Sequence, residues 1–160
     1  MKIEFTPIGI IHTPFKTIEN IPIQPAAGKT IEGWIEIFDE YTEGLSDLDG
    51  FSHIYLLFHL HRSKNYSLKL IPFLDTVKRG VFSTRSPARP NPLGLSIVEI
   101  VSIHDNIINI KGIDILDGSP LIDIKPYVPD FEVTKNIKKG WFEGKEKIIP
   151  GKLSDDRFKE

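Results

Sequence analysis

The chain has 160 residues, a formal net charge of -2 and no cysteine. That length buries one core but not two full-sized ones, and 40% hydrophobic with 26% charged residues is globular rather than disordered composition. Missing cysteines exclude disulfides and thiolate chemistry, no apolar run approaches the roughly 20 residues that cross a bilayer, and the slight negative charge excludes nucleic-acid binding through an overall basic field.

These limits predict one cytoplasmic domain over residues 1–135, followed by a charged extension over 136–160 that packs on it through Trp141, Phe142, Ile148 and Ile149 and frays at its end. In chain order, strands are expected at Ile8–Ile11 and Ile31–Ile37, where isoleucines alternate with Glu32, Trp34 and Glu36 at the period of a half-buried strand. Tyr41–Gly50 holds a turn of helix, Ser52–Leu60 a strand, and Leu68–Leu74 another turn limited by Pro72. Further strands follow at Gly80–Thr84, Ser96–Ile103, Ile107–Ile113 and Leu121–Ile124, with His104-Asp105-Asn106 joining two of them as a hairpin. Many short strands and few helices predict a mainly β fold, a single-sheet, antiparallel-rich β-barrel that closes and so leaves no open edges.

Between the strands, Ser83 to Ser96 carries Pro87, Pro90 and Pro92 within six residues, which fix φ and hold a stiff, helix-free loop. Arg85 and Arg89 project from it, and guanidinium groups suit carboxylates, phosphates or aromatic faces; surface pairing is the plain alternative. Lys78 and Arg79 with these arginines, or Lys135, Lys138 and Lys139, are the patches available to RNA. Asp114, Asp117 and Asp123 surround a Gly118-Ser119-Pro120 turn; such carboxylates hold a cationic or hydroxyl-bearing ligand, although Asp-Gly is turn chemistry in its own right. His53, His59 and His61 share a strand parity, yet no carboxylate cluster accompanies them, so no metal is expected and His61-Arg62 at the strand end are ligand candidates. The sequence contains no G-x-G, no phosphate-binding P-loop, no G-x-S-x-G and no H-E-x-x-H.

The run Gly80-Val81-Phe82-Ser83-Thr84-Arg85-Ser86-Pro87, followed by Arg89-Pro90-Asn91-Pro92-Leu93-Gly94-Leu95-Ser96, closely resembles the signature of the TsaA-like, or TrmO, family of S-adenosylmethionine-dependent tRNA methyltransferases. Pro7-Ile8-Gly9, His12-Thr13-Pro14-Phe15, Leu48 to His53 and Asp114 to Tyr127 extend the resemblance, in order, over roughly residues 5 to 130. The resemblance implies a β-barrel that forms a homodimer, binds S-adenosyl-L-methionine near the subunit interface and methylates N6 of threonylcarbamoyladenosine in tRNA. It puts cofactor contacts on Pro22, Ile23, Gln24, His61, Arg62, Arg85, Leu95, Asp114, Ile115, Leu116 and Asp117. Arg89 and Asn91 become candidates for the substrate, and Asp123 or Tyr127 for taking up a proton. Two departures stand out: the family often has arginine where this chain has Ile23, and the length after Tyr127 leaves no room for the additional C-terminal domain of bacterial members. Three alternatives stay open at this point: methyl transfer to a non-tRNA acceptor, a non-enzymatic S-adenosylmethionine-binding module, and an RNA-binding barrel without cofactor.

Overall fold

The computed structural model describes residues 1–18, 21, 30–132 and 136–145. Its centre is β1 (Gly9–His12), β2 (Glu32–Ile37), β3 (His53–His59), β6 (Leu93–His104), β7 (Ile107–Lys111) and β8 (Ser119–Pro126), while β4 (Lys69–Leu70) and β5 (Arg79–Gly80) form a separate two-stranded ribbon. The six strands close into a barrel in the order β1-β2-β7-β6-β3-β8, and every neighbouring pair is antiparallel.

Alternation does the sorting. In β2, Gly33, Ile35 and Ile37 point inward while Glu32, Trp34 and Glu36 face out, and β3 buries Ile54, Leu56 and Phe58 in the same manner. A barrel this small is filled by its own side chains, here a core rich in isoleucine with Ile11, Ile35, Ile54, Ile108, Ile110 and Leu121 fully buried. The expected hairpin is present: β6 and β7 pair from His104–Ile107 outward, and Asp105 turns the chain at φ 52°. Short 3-10 helices at Asp39–Leu45 and Leu48–Gly50 occupy the helical turn expected between Tyr41 and Gly50.

Three elements differ from expectation. Only Gly80 of the Gly80–Thr84 segment is strand; Val81–Ser83 winds into a 3-10 turn because the Ser83 and Thr84 hydroxyls donate to the Gly80 and Val81 carbonyls, each at 2.8 Å. Leu68–Leu74 forms no helical turn but contributes β4, followed by a turn in which Asp75 N–H donates to the Pro72 carbonyl. β6 starts at Leu93, three residues early, because the first half of β3 is not its whole partner: His59, Phe58 and Leu57 pair with Leu93, Gly94 and Leu95.

Of the described residues after the barrel, Trp141 and Lys145 pack beside the small ribbon. Trp141 Nε1 donates to the Ser83 carbonyl at 2.7 Å, its ring lies 5.8 Å from the Arg79 guanidinium and 5.1 Å from Lys145 Nζ, and Lys145 reaches Asp75 at 3.2 Å. Arg79 Nε donates to Asp75 from the other side at 2.8 Å, and together with the Thr76 N–H and Lys145 it holds the Asp75 carboxyl well below the usual carboxylate range. Ile148 and Ile149 lie outside the described residues.

Candidate functional site

Two sequence motifs far apart in the chain fasten each other. Thr13, almost fully buried, donates its N–H to the Asp117 carboxylate at 2.9 Å and its hydroxyl to the Ile115 carbonyl at 2.9 Å. Asp117 N–H returns to the Phe15 carbonyl, and Gly118 N–H, at a φ of 73° that glycine adopts freely, donates to the Ile11 carbonyl. The Asp114–Gly118 segment is thereby fixed against the end of β1. Its near end closes one side of a cavity of about 700 Å3, within the range that small-molecule sites occupy.

The Pro-rich loop forms the opposite side. Arg89 Nη1 donates to the carbonyls of Thr84 and Ser86 at 3.1 and 3.3 Å, Ser63 Oγ donates to the Pro87 carbonyl, and Leu60 N–H donates to the Pro92 carbonyl. Prolines restrict this loop and hydrogen bonds pin it, so Arg85 extends from a frame that changes little.

Around this cavity stand His61, Arg62, Arg85, Leu95, Asp114, Ile115 and Leu116, all of them residues singled out from the sequence, together with Arg89. Asp117 is outside the wall: it faces Lys16 at 2.7 Å and the backbone of Thr13, and although burial pushes its carboxyl up, these partners hold it below the usual range. Asn91 also lies outside the wall. So do the two residues expected to take a proton: Asp123 is paired with Lys125 at 2.7 Å, and Tyr127 packs edge-on against His53 and Tyr55 with centroids 6.4 and 5.5 Å away. Pro22, Ile23 and Gln24 lie outside the described residues. His53 and His59 sit half-buried on the outer parity of β3, outside the cavity wall, and among the described residues no group of three or more His, Asp or Glu is placed to hold a metal ion.

Electrostatically the wall is uneven. Burial pushes the Asp114 carboxyl up to about 6, while the Ser96 hydroxyl, donating to Oδ1 at 2.7 Å, and the charge of Arg85 pull it back. Burial moves His61 the other way, down, helped by the positive charge of Arg62. Ser96 and Ser119, 5% and 1% exposed, are the polar residues that sequence reading missed. Each occupies a core-facing position, Ser96 in register with buried Val98 and Ser119 with buried Leu121, and a hydroxyl at such a position needs a partner. Inward parity was the signal.

Residues 10–133 match the family described as the tRNA-methyltransferase O N-terminal domain. A Pyrococcus abyssi protein named "Probable S-adenosyl-L-methionine-binding protein" is 50% identical over 154 residues, covering 96% of this chain and 84% of the relative. An Escherichia coli tRNA (adenine(37)-N6)-methyltransferase is 35% identical over 136 residues, 79% of this chain and 58% of that enzyme. The crystal structure of TrmO from Pseudomonas aeruginosa superposes with a TM-score of 0.74 at 33% identity, covering 88% of this chain and 63% of that one. The chain thus spans less than two thirds of both bacterial proteins and most of the archaeal one. Barrel, loop and matched residues lead to one conclusion: this chain belongs to the tRNA-methyltransferase O N-terminal domain family.

Proposed function

We propose that the chain binds S-adenosylmethionine in the cavity between the Pro-rich loop and the Asp114 segment and acts as an N-methyltransferase on N6 of threonylcarbamoyladenosine in tRNA. The observation that carries this reading is the meeting, in one cavity of about 700 Å3, of a buried carboxylate at Asp114 and a loop-held guanidinium at Arg85 among apolar side chains. A nucleoside attached to a cationic, zwitterionic amino acid needs that set: an acceptor for hydroxyls or cations, a fork for a carboxylate, and apolar surface for a flat base. Arg85 and Arg62 suit the carboxylate, Asp114 the polar groups, and Leu95, Ile115 and Leu116 the base; Gln24 and its neighbours join from the same resemblance. Bound S-adenosylmethionine supplies an electrophilic methyl group, so the protein's own contribution is to orient two reactants and exclude water. Names of the relatives from Pyrococcus abyssi and Escherichia coli support the cofactor and the acceptor respectively.

The functional unit is a cytoplasmic homodimer. Leu95 and Val101 lie 50% and 55% exposed on β6, where a two-fold contact would cover them. Sedimentation at micromolar concentration is expected to give twice the 18.2 kDa mass of the chain; a single monomeric species would remove the dimer. The acceptor is tested by digesting tRNA from a strain lacking the gene. Loss of the N6-methylated nucleoside is expected, whereas an unchanged profile would move the reaction to another acceptor.

A further inference from the structure

His61 follows β3 by two residues, and its ring is part of the cavity wall. Ser119 opens β8 and places its Oγ 3.3 Å from His61 Nδ1 and 2.7 Å from the Leu116 carbonyl oxygen. A hydroxyl has one proton to give, and a carbonyl oxygen can only accept. Ser119 therefore commits its proton to Leu116 and turns lone pairs toward Nδ1. Nδ1 must then carry the ring hydrogen, which leaves Nε2 of the neutral imidazole as a base.

The other groups singled out to take a proton are placed differently, and Tyr66, a further titratable side chain of the wall, is largely exposed. Asp123 and Tyr127 stand outside the wall, and Asp114, inside it, accepts the Ser96 hydroxyl and faces Arg85. We infer that His61 Nε2 receives the proton released by the methyl-accepting nitrogen, and that Ser119 is the positioning residue that fixes the tautomer of His61. This rests on the methyltransferase reading above. In the step, the nitrogen lone pair forms the new N–C bond as the sulfonium C–S bond breaks and its electron pair stays on sulfur. The N–H proton passes to Nε2, and the imidazolium later returns it to solvent. Ser119 need not turn during the cycle, because Nδ1 is a donor in both ring states.

The ring's surroundings keep it neutral and ready at about pH 7. Burial and the charges of Arg62 and His59 disfavour the imidazolium; the His59 carbonyl and Asp117 favour it less strongly. Arg85, Arg89 and Asp114 complete the charged groups of the same wall.

Three readouts test the assignment. NMR of protein labelled at the imidazole nitrogens, at about pH 7, is expected to show the hydrogen of His61 on Nδ1 and a mixture of tautomers in Ser119→Ala; a wild-type ring with its hydrogen on Nε2 would overturn the proposal. In His61→Gln, which also removes a cofactor contact, calorimetric affinity for S-adenosylmethionine is expected to fall no more than about tenfold, while single-turnover methylation of tRNA at saturating S-adenosylmethionine falls about 100-fold. The rise of wild-type rate with pH, centred below the ordinary histidine range, should vanish in that variant. Affinity and rate falling together would mean that the ring only holds the donor, and would end the base assignment. Failure of the underlying function has a separate signature, the absence of cofactor binding by the wild-type protein, and would remove the proposal with it.

Discussion

Asp114 shows how a site residue costs stability. Its native carboxyl titrates at about 6 rather than at the ordinary 3.8, so between these values the folded chain binds the proton that the unfolded chain has released. Stability therefore falls as pH rises through that window, and the penalty is complete above it. Asp114→Asn is expected to raise unfolding free energy on the order of 2 kcal/mol at about pH 7 and very little at about pH 4, while cofactor affinity is lost. Equal effects in denaturant titrations at the two pH values would contradict this account. The neighbouring aspartates show where sequence reading stops. Asp114, Asp117 and Asp123 lie within ten residues and look alike in sequence, yet one enters the cavity, one clamps Thr13 and Lys16, and one pairs with Lys125 on the outer face. The separation depends on strand parity and on the facing motif at His12–Phe15, which no spacing rule connects to Asp117.

Among the elements, the β3–β6 pair positions the site most directly. Gly94 faces Phe58 across it, and a Cβ at Gly94 would come 2.2 Å from Phe58 Cζ, far inside contact distance. Because Phe58 is wedged between the core and the cavity wall, Gly94→Ala is expected to destabilise by about 2–3 kcal/mol. Adding Phe58→Leu should restore part of that loss; strictly additive effects in thermal unfolding would show that the two positions do not meet. Strong alternation made β2, β3, β7 and most of β6 readable in advance. Gly80–Thr84 was misread because Val81 and Phe82 have strand character, but serine and threonine hydroxyls captured the carbonyls that a partner strand would have used. The early start of β6 was hidden by Pro90 and Pro92, which read as loop although pairing begins immediately after them.

At the scale of the whole molecule, the barrel interior is closed to ligands by its isoleucine core, so the site has to lie beside the barrel, where loops meet the ends of β3, β6 and β8. Closure was predictable from many short strands; the position of the cavity was not, because it arises from contacts such as Ser96 with Asp114 and Ser119 with His61 that link residues 18 and 58 positions apart. Residues fixed to that scaffold can hold a ligand in one orientation. The proposed function stands on the identity of the ligand. Calorimetric titration with S-adenosylmethionine, on the wild-type protein and on folded Arg85→Ala, tests it most directly. Saturable binding that weakens about 10- to 100-fold in the variant is expected; a folded wild-type protein that binds no S-adenosylmethionine would contradict the proposed function.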